Sequence, residues 1–333
     1  MSLKEKVRDW LQVFRAHTAP ATIILVLVSY LLGGGNLFTF DSLFLGIFAL
    51  LFHWFTYGHN SLMDTVSGYD LKDKHKSHHP LVRGDISLEY AHKVIHSGLF
   101  ILTLIGIWFA LKSDGSPFLA VAWFTIFITA GHAYNDGLSK VTIWSFVPIT
   151  ICFTSFGIFG YYIAATEMSD LMFCVALYFA VTWLFQISLS GELKEITERE
   201  ANLLRYMGAR VSNNRLELGK AKYYGWFVKL LNLGGGCFII YRFGFNLLSI
   251  ALFALLASFA IYFCHELTKD RILDRNKSLV HMASEEIVTI YIMPAILIPS
   301  IGLAASATLM VFGIVYFIIY NLFLWGTILR PRV

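Results

Sequence analysis

Charge is scarce in this chain. Of 333 residues, 14% are Asp, Glu, Lys or Arg, where an ordinary soluble domain carries about 25%. The shortage is uneven: long stretches hold no charge and short stretches hold most of it. This excludes an ordinary soluble globular domain and fits apolar spans joined by polar connections. Cysteine is also rare. Cys152, Cys174, Cys237 and Cys264 each lie in an apolar run, with no metal-binding spacing, and read as small buried hydrophobes. No basic patch is interleaved with aromatics, which argues against a nucleic-acid partner. The chain has no low-complexity tract and no domain-scale linker, so 1–333 reads as one domain. A cleavable signal peptide is not expected either, because the basic start (Lys4, Lys6, Arg8, Arg15) leads into an apolar run followed by further spans.

Hydrophobic residues make up 57% of the chain and aromatics 16%, with 29 Phe able to line an apolar cavity or a lipid-facing surface. Apolar segments fall at 18–34, 42–62, 87–111, 117–134, 143–165, 169–190, 223–241, 246–264, 284–303 and 305–326. Most approach the ~20 residues a helix needs to cross the hydrocarbon. Lipid cannot satisfy exposed backbone groups, so the spans are helical. The expectation is an all-α, polytopic transmembrane bundle of ten helices, or nine if the last two are one broken element. With the N-terminus in the cytoplasm, the cytoplasmic segments hold 22 of the 26 Lys and Arg, a strong positive-inside bias. Two of these segments are long and acidic, 64–86 and 191–222. Each follows an even-numbered span, so both are placed at the same mouth.

The first holds Asn60-Ser-Leu-Met-Asp64, then Gly68, Asp70 and Asp73. Asn60 and Asp64 share a helix face, and Gly68 permits a turn that returns Asp70 beside them. Asn and Asp oxygens suit a hard cation such as Mg²⁺, which takes one or two carboxylates and completes its shell with water and phosphate. A lone Asp at a helix end is ordinarily a solvated acid. Here Lys72, Lys74, His75, Lys76, His78, His79 and Arg83 follow closely. Acids to hold a metal and bases to hold phosphate oxygens make a site for a metal-bridged polyanion. The second segment holds Glu192, Glu195 and Glu198 at helical spacing, with Lys194 and Arg199 among them. Alone this is a solvated turn with Glu–Arg pairs. Two acidic helix ends at one mouth instead suggest two metals across one diphosphate. Tyr134, Asn135, Asp136 and Lys140 reach the same face, as do Arg15 and His17.

These motifs resemble the UbiA superfamily of intramembrane prenyltransferases. The resemblance rests on Asn60-x-x-x-Asp64 with Asp70, on His79-Pro-Leu-Val-Arg83-Gly-Asp-Ile-Ser, and on the Glu-rich second motif with Arg199-Glu200-Ala201. The six-residue step from Asp64 to Asp70 is similar to the menaquinone-type branch, which prenylates dihydroxynaphthoate. His79 stands where the family has Arg, and Glu stands where its second motif has Asp. The resemblance implies Mg²⁺ held by Asn60, Asp64 and Asp70 on one side and by Glu192, Glu195 and Glu198 on the other. It implies Lys76, Arg83, Tyr134, Lys140 and Lys194 around a polyprenyl diphosphate, with its tail between helices in the lipid bilayer. A carbocation formed there needs water excluded and aromatic faces nearby; Trp54, Phe55, Tyr57, Tyr134, Trp144 and Trp183 are the candidates. The acceptor is expected to be aromatic or otherwise lipophilic, in quinone or isoprenoid-lipid biosynthesis. Two other outcomes share the ionisation step: transfer to a glyceryl phosphate lipid, and terpene cyclisation. A protein that binds or carries an anionic lipid without turnover is the reading of another class. It predicts ionisable groups near the bilayer midplane, whereas the sequence collects them at the edge.

Overall fold

The computed structural model describes residues 2–138 and 141–328. Helix α1 (Leu3–Val13) ends at a break where Arg15 takes a left-handed conformation (φ 46°). The chain bends there by 57° into α2 (Ala19–Leu32), whose first turn holds Pro20, where no N–H is needed. Every residue of α2 from Ala19 to Tyr30 is buried. A helix apolar on all sides belongs in the interior, and the remaining long helices build the rest of the bundle. These are α3 (Phe40–Val66), α4 (Leu88–Lys112), α5 (Pro117–Ala133), α6 (Phe146–Tyr162), α7 (Asp170–Phe185), α8 (Ala221–Phe243), α9 (Leu247–Thr268), α10 (Arg275–Ile296) and α11 (Leu303–Trp325). Each from α3 to α10 packs on the next, and α11 packs on both α10 and α2, which closes the ring. Side-chain caps fix several starts. Thr39, Ser87, Ser169, Asn246 and Asp274 accept the N–H three residues on.

Each of the ten expected apolar segments contains a helix, but fewer pass as spans by length and apolarity. Among the described residues seven do, and an eighth if the bent α1–α2 pair counts as one. Helix α6 has 17 residues. Helix α8 is long enough, but Lys229, Asn232 and its glycines lower its hydropathy. Part of the phenylalanine content goes into a packed core rather than a cavity wall. Phe48 and Phe52 of α3, Phe124 and Phe127 of α5, and Phe156 and Phe159 of α6 form one cluster. Within it Phe127 and Phe156 stack at 4.2 Å.

The two long connections are not simple acidic loops. The first folds into short helices at Tyr69–Lys72 and Pro80–Arg83. The second carries β1 (Arg210–Ser212) and β2 (Arg215–Glu217), joined through Asn213 and Asn214, both left-handed. Two consecutive left-handed residues match the twist of a tight hairpin, and Asn tolerates them. Strand β3 (Arg271–Ile272), from the α9–α10 connection, pairs antiparallel with β2. This small sheet departs from the all-α expectation. Leu216 of β2 is fully buried with Leu204, Leu218 and Met282, forming a second apolar cluster above the bundle. The sheet therefore ties the Glu-rich segment to the start of α10.

Candidate functional site

Helix α3 delivers Asn60 and Asp64 from its last two turns, both buried. Gly68 then adopts φ +76°, a conformation open to glycine at little cost, and the chain turns into Tyr69–Lys72. This puts Asp70 in the interior, 1% exposed. Its Oδ2 is buried and accepts no hydrogen bond among the described residues. Lys76, also buried, feels Asp70, Asp64 and Glu195 together. Burial, and then the Arg15 guanidinium, hold its ammonium below the ordinary lysine range against the pull of those three acids. Acids of both segments therefore lie within electrostatic reach of one buried cation. Tyr69 makes a second link: burial and the neighbouring Glu195 carboxylate raise its hydroxyl well above the usual tyrosine range. Arg15 approaches Asp64 at 3.9 Å and lies 5.6 Å over the Tyr57 ring.

The Glu-rich segment differs from the expected shared helix face. The helix ends at Lys194, and Glu195 has left helical geometry. The cause is Glu192, which is 2% exposed. Its Oε1 accepts from Arg199 at 2.8 Å and its Oε2 from the Leu203 N–H at 2.7 Å, folding the chain back on itself. Arg199 also lies 3.8 Å from Glu195. Glu198 pairs with Arg275 at 3.3 Å, and the same guanidinium holds Asp73 at 3.1 Å. Asp73, His75 and Glu198 are close enough to share a metal ion, but Arg275 already supplies their positive charge. Arg83 is turned toward Asp9 and Asp85. Tyr134 lies within electrostatic reach of Glu195, Asp64, Arg199 and Arg15. Lys140 lies outside the described residues.

A cavity of about 190 Å³ opens between α2, α3, α7, α10 and α11. Arg15, His17 and Lys194 line it, as do Tyr57, Trp183, Gln186, Ser190 and Glu286; Tyr291, Gly313 and Phe317 lie toward the middle of their helices. Neither Asp64 nor Glu192 lines it. A second cavity, of about 280 Å³, shares Lys194, Leu279 and Met282 with the first and holds His75, Glu198 and Arg275. Lys194 thus stands between an apolar chamber and a charged one. Of the six aromatic candidates, only Tyr57 and Trp183 line the apolar chamber. Trp144 is exposed, and Trp54 and Phe55 pack on Phe14. Phe317 is the only phenylalanine in that lining.

Sequence reasoning passed over several lining groups. Gln186 and Ser190 belong to a π-helical stretch, Gln186–Gly191, that continues α7. A second, Tyr134–Leu138, continues α5 and carries Asn135, whose Oδ1 accepts from Asn60 Nδ2 at 3.2 Å. Such wide turns often mark functional positions but leave no trace in residue type. Glu285 and Glu286 did leave a signal, two acids inside an apolar run. Glu286 lines the cavity. Glu285 is fully buried and paired with Lys229, and Gln186 donates to it as well. Ionisable groups are therefore not confined to the bundle's edge.

A polytopic bundle of apolar helices, with buried acids and bases gathered near a largely apolar chamber, defines an integral membrane protein. Residues 22–284 match the UbiA prenyltransferase family. The chain belongs to that family, whose members are prenyltransferases. Solved structures share the fold. A structure concerned with digeranylgeranylglyceryl phosphate synthase is 16% identical, covers 90% of this chain and all of its own, with a TM-score of 0.61. A UbiA homologue from Archaeoglobus fulgidus bound to GPP and Mg²⁺ is 12% identical over 86% of this chain and 99% of its own, with a TM-score of 0.61. A homologue from Aeropyrum pernix K1 without ligand is 13% identical over 87% of this chain and 96% of its own, also at 0.61. No curated protein matches the chain in sequence.

Proposed function

We infer that this chain, acting as one domain over 1–333, transfers a polyprenyl group from an allylic diphosphate to an aromatic or other lipophilic acceptor. The reaction depends on Mg²⁺ and takes place at the cytoplasmic face of the membrane. The observation that carries the reading is Asp70: a buried carboxylate with an unpartnered oxygen, within electrostatic reach of the buried Lys76 ammonium, as are Asp64 and Glu195. Buried charge persists only where it is paired or holds a cation. The donor set of Asn60, Asp64 and Asp70 is all oxygen and fits Mg²⁺. The A. fulgidus homologues bound to GPP or DMAPP with Mg²⁺ support the same assignment.

Asn60, Asp64 and Asp70 hold the ion on the α3 side, and Glu195 leads on the other. Glu192 and Glu198, now paired with Arg199 and Arg275, would complete the acidic side of the site. Bound Mg²⁺ neutralises the diphosphate and stabilises the charge that develops on the leaving oxygen. Lys76, Lys194 and Arg15 hold the phosphate oxygens, with Lys140 and Arg83 as outer contributors and Tyr134 beside them. The allylic C–O bond breaks, its electron pair leaves with the diphosphate, and the acceptor supplies the pair for the new bond and gives up a proton, which the released diphosphate takes up. Tyr57 and Trp183 offer ring faces to the allylic cation. The Asp64-to-Asp70 spacing supports a menaquinone-type acceptor and a place in quinone synthesis. The shared fold with digeranylgeranylglyceryl phosphate synthase favours a second reading, an acceptor bearing glyceryl phosphate.

Incubation of the purified chain with geranylgeranyl diphosphate and Mg²⁺ tests the assignment. Diphosphate release in the presence of an acceptor, reduced roughly 10²-fold or more in Asp70→Asn, is the expected result. Dihydroxynaphthoate and glyceryl phosphate lipid, offered in parallel, separate the two acceptors. No release with any chain length or acceptor sinks the reading.

A further inference from the structure

Four of the chain's 11 histidines gather beside the candidate site but outside it. His59 of α3 meets His132 at the end of α5, with ring centres 5.1 Å apart, and His96 of α4 at 5.0 Å. His92 stacks on His96 at 4.0 Å. Asp136, one turn beyond His132, reaches both inner rings. Its Oδ1 is 3.1 Å from His59 Nε2, and its Oδ2 is 3.3 Å from His132 Nδ1. His59 is 2% exposed, and its Nε2 makes no hydrogen bond among the described residues. The contact with Asp136 therefore has the length of a hydrogen bond without its geometry. A cavity of about 20 Å³, lined by His59, His132 and Asn135 among others, adjoins the cluster. It has room for about one water.

We propose that His59, His132 and Asp136 form a second cation site, selective for a zinc-class divalent ion and separate from the diphosphate site. One ligand atom from each lies within 4.8 Å of the other two. A tetrahedral ion with bonds of about 2.0–2.1 Å spaces its ligands about 3.3–3.5 Å apart, so small side-chain shifts close the site. Two imidazoles and one carboxylate suit zinc, cobalt(II) or nickel(II) and disfavour Mg²⁺, which takes oxygen ligands. Water or His96 completes the shell. Ligated histidine ordinarily donates its other ring N–H to an oxygen. The Asn135 amide, 3.4 Å from His59 Nδ1, presents its oxygen there after rotating. The same rotation releases the bond that the Asn135 oxygen now accepts from Asn60 Nδ2, so an ion here ties α3 to α5 and is coupled to a diphosphate-site ligand.

The test uses untagged, detergent-purified full-length chain in saturating Mg²⁺, titrated with cobalt(II). The expected result is about one tightly held ion per chain, with the intense visible absorption of tetrahedral cobalt. Affinity falls roughly 10²-fold or more in His132→Gln and Asp136→Asn and is unchanged in Asp64→Asn. Should those variants fail to fold, His132→Cys retains a ligand and adds a thiolate-to-cobalt charge-transfer band. The proposal is overturned if the wild-type chain shows no tetrahedral band, if the band survives in both ligand variants, if Asp64→Asn abolishes it, or if His132→Cys lacks the charge-transfer band.

Discussion

At the scale of single residues, burial separates acids that the sequence presents as equivalents. Asp70 is enclosed with an oxygen unpartnered, whereas Glu192 is enclosed with both oxygens engaged by Arg199 and the Leu203 N–H. Their substitutions therefore have different signatures. Asp70→Asn is expected to lower diphosphate release while leaving the melting temperature close to that of the parent, because Asn keeps the shape and Lys76 retains Asp64 and Glu195 as neighbouring charges. Glu192→Gln is expected to lower stability by about 3–5 kcal/mol, since Arg199 is left buried without its partner. Thermal melts in detergent, run beside the release assay, distinguish the two. Arg15 is a third case. A non-glycine residue in the left-handed region carries strain that the surroundings must hold in place. Arg15→Gly is predicted to relax the backbone yet reduce release, which assays at several Mg²⁺ concentrations would detect.

At the scale of elements, the sequence reports helices well and their ends poorly. Apolar runs mark all the long helices, because lipid leaves the backbone no alternative. The end of α7 is set instead by the long-range partners of Glu192, and no local pattern records that. The π-helical stretches likewise arise from packing around Gln186 and Asn135. Gly68 shows the opposite: its turn was readable, because only glycine takes that conformation cheaply. The pair linking α8 to α10 was missed because Lys229 and Glu285 are distant in sequence. Both are fully buried. Lys229→Met or Glu285→Leu alone is predicted to cost about 3–5 kcal/mol, and the double substitution much less. Melts of all three variants complete the cycle. Near-additive losses would show that the two groups do not act as a pair.

At the scale of the whole molecule, buried α2 packs between α3, α6, α10 and α11 and joins the two ends of the bundle. The helical membrane bundle was legible in composition and spacing, and the gathering of charge at one end only in part, since Lys229, Glu285 and Glu286 lie inside the bundle. The cavity was not, because it is shaped by side chains from five helices. Trp183, Ala21 and Ile290 line both the main chamber and a small neighbouring void of about 20 Å³ beside Tyr178, Phe179 and Met293. Trp183→Ala should join the two and shift preference toward longer prenyl donors. Product chain lengths from a mixture of donors would show the shift, and an unchanged distribution would refute it.

Lys194 lines both a charged chamber and a largely apolar one, so on the proposed function one donor molecule would meet two different solvents at once. The donor's tail partitions into the bilayer before its headgroup is ever recognised. The relevant concentration is then two-dimensional. Diluting the vesicles in buffer at a fixed donor-to-lipid ratio should leave the rate per enzyme unchanged. Adding inert phospholipid at constant donor should slow it, in proportion to the fall in surface density.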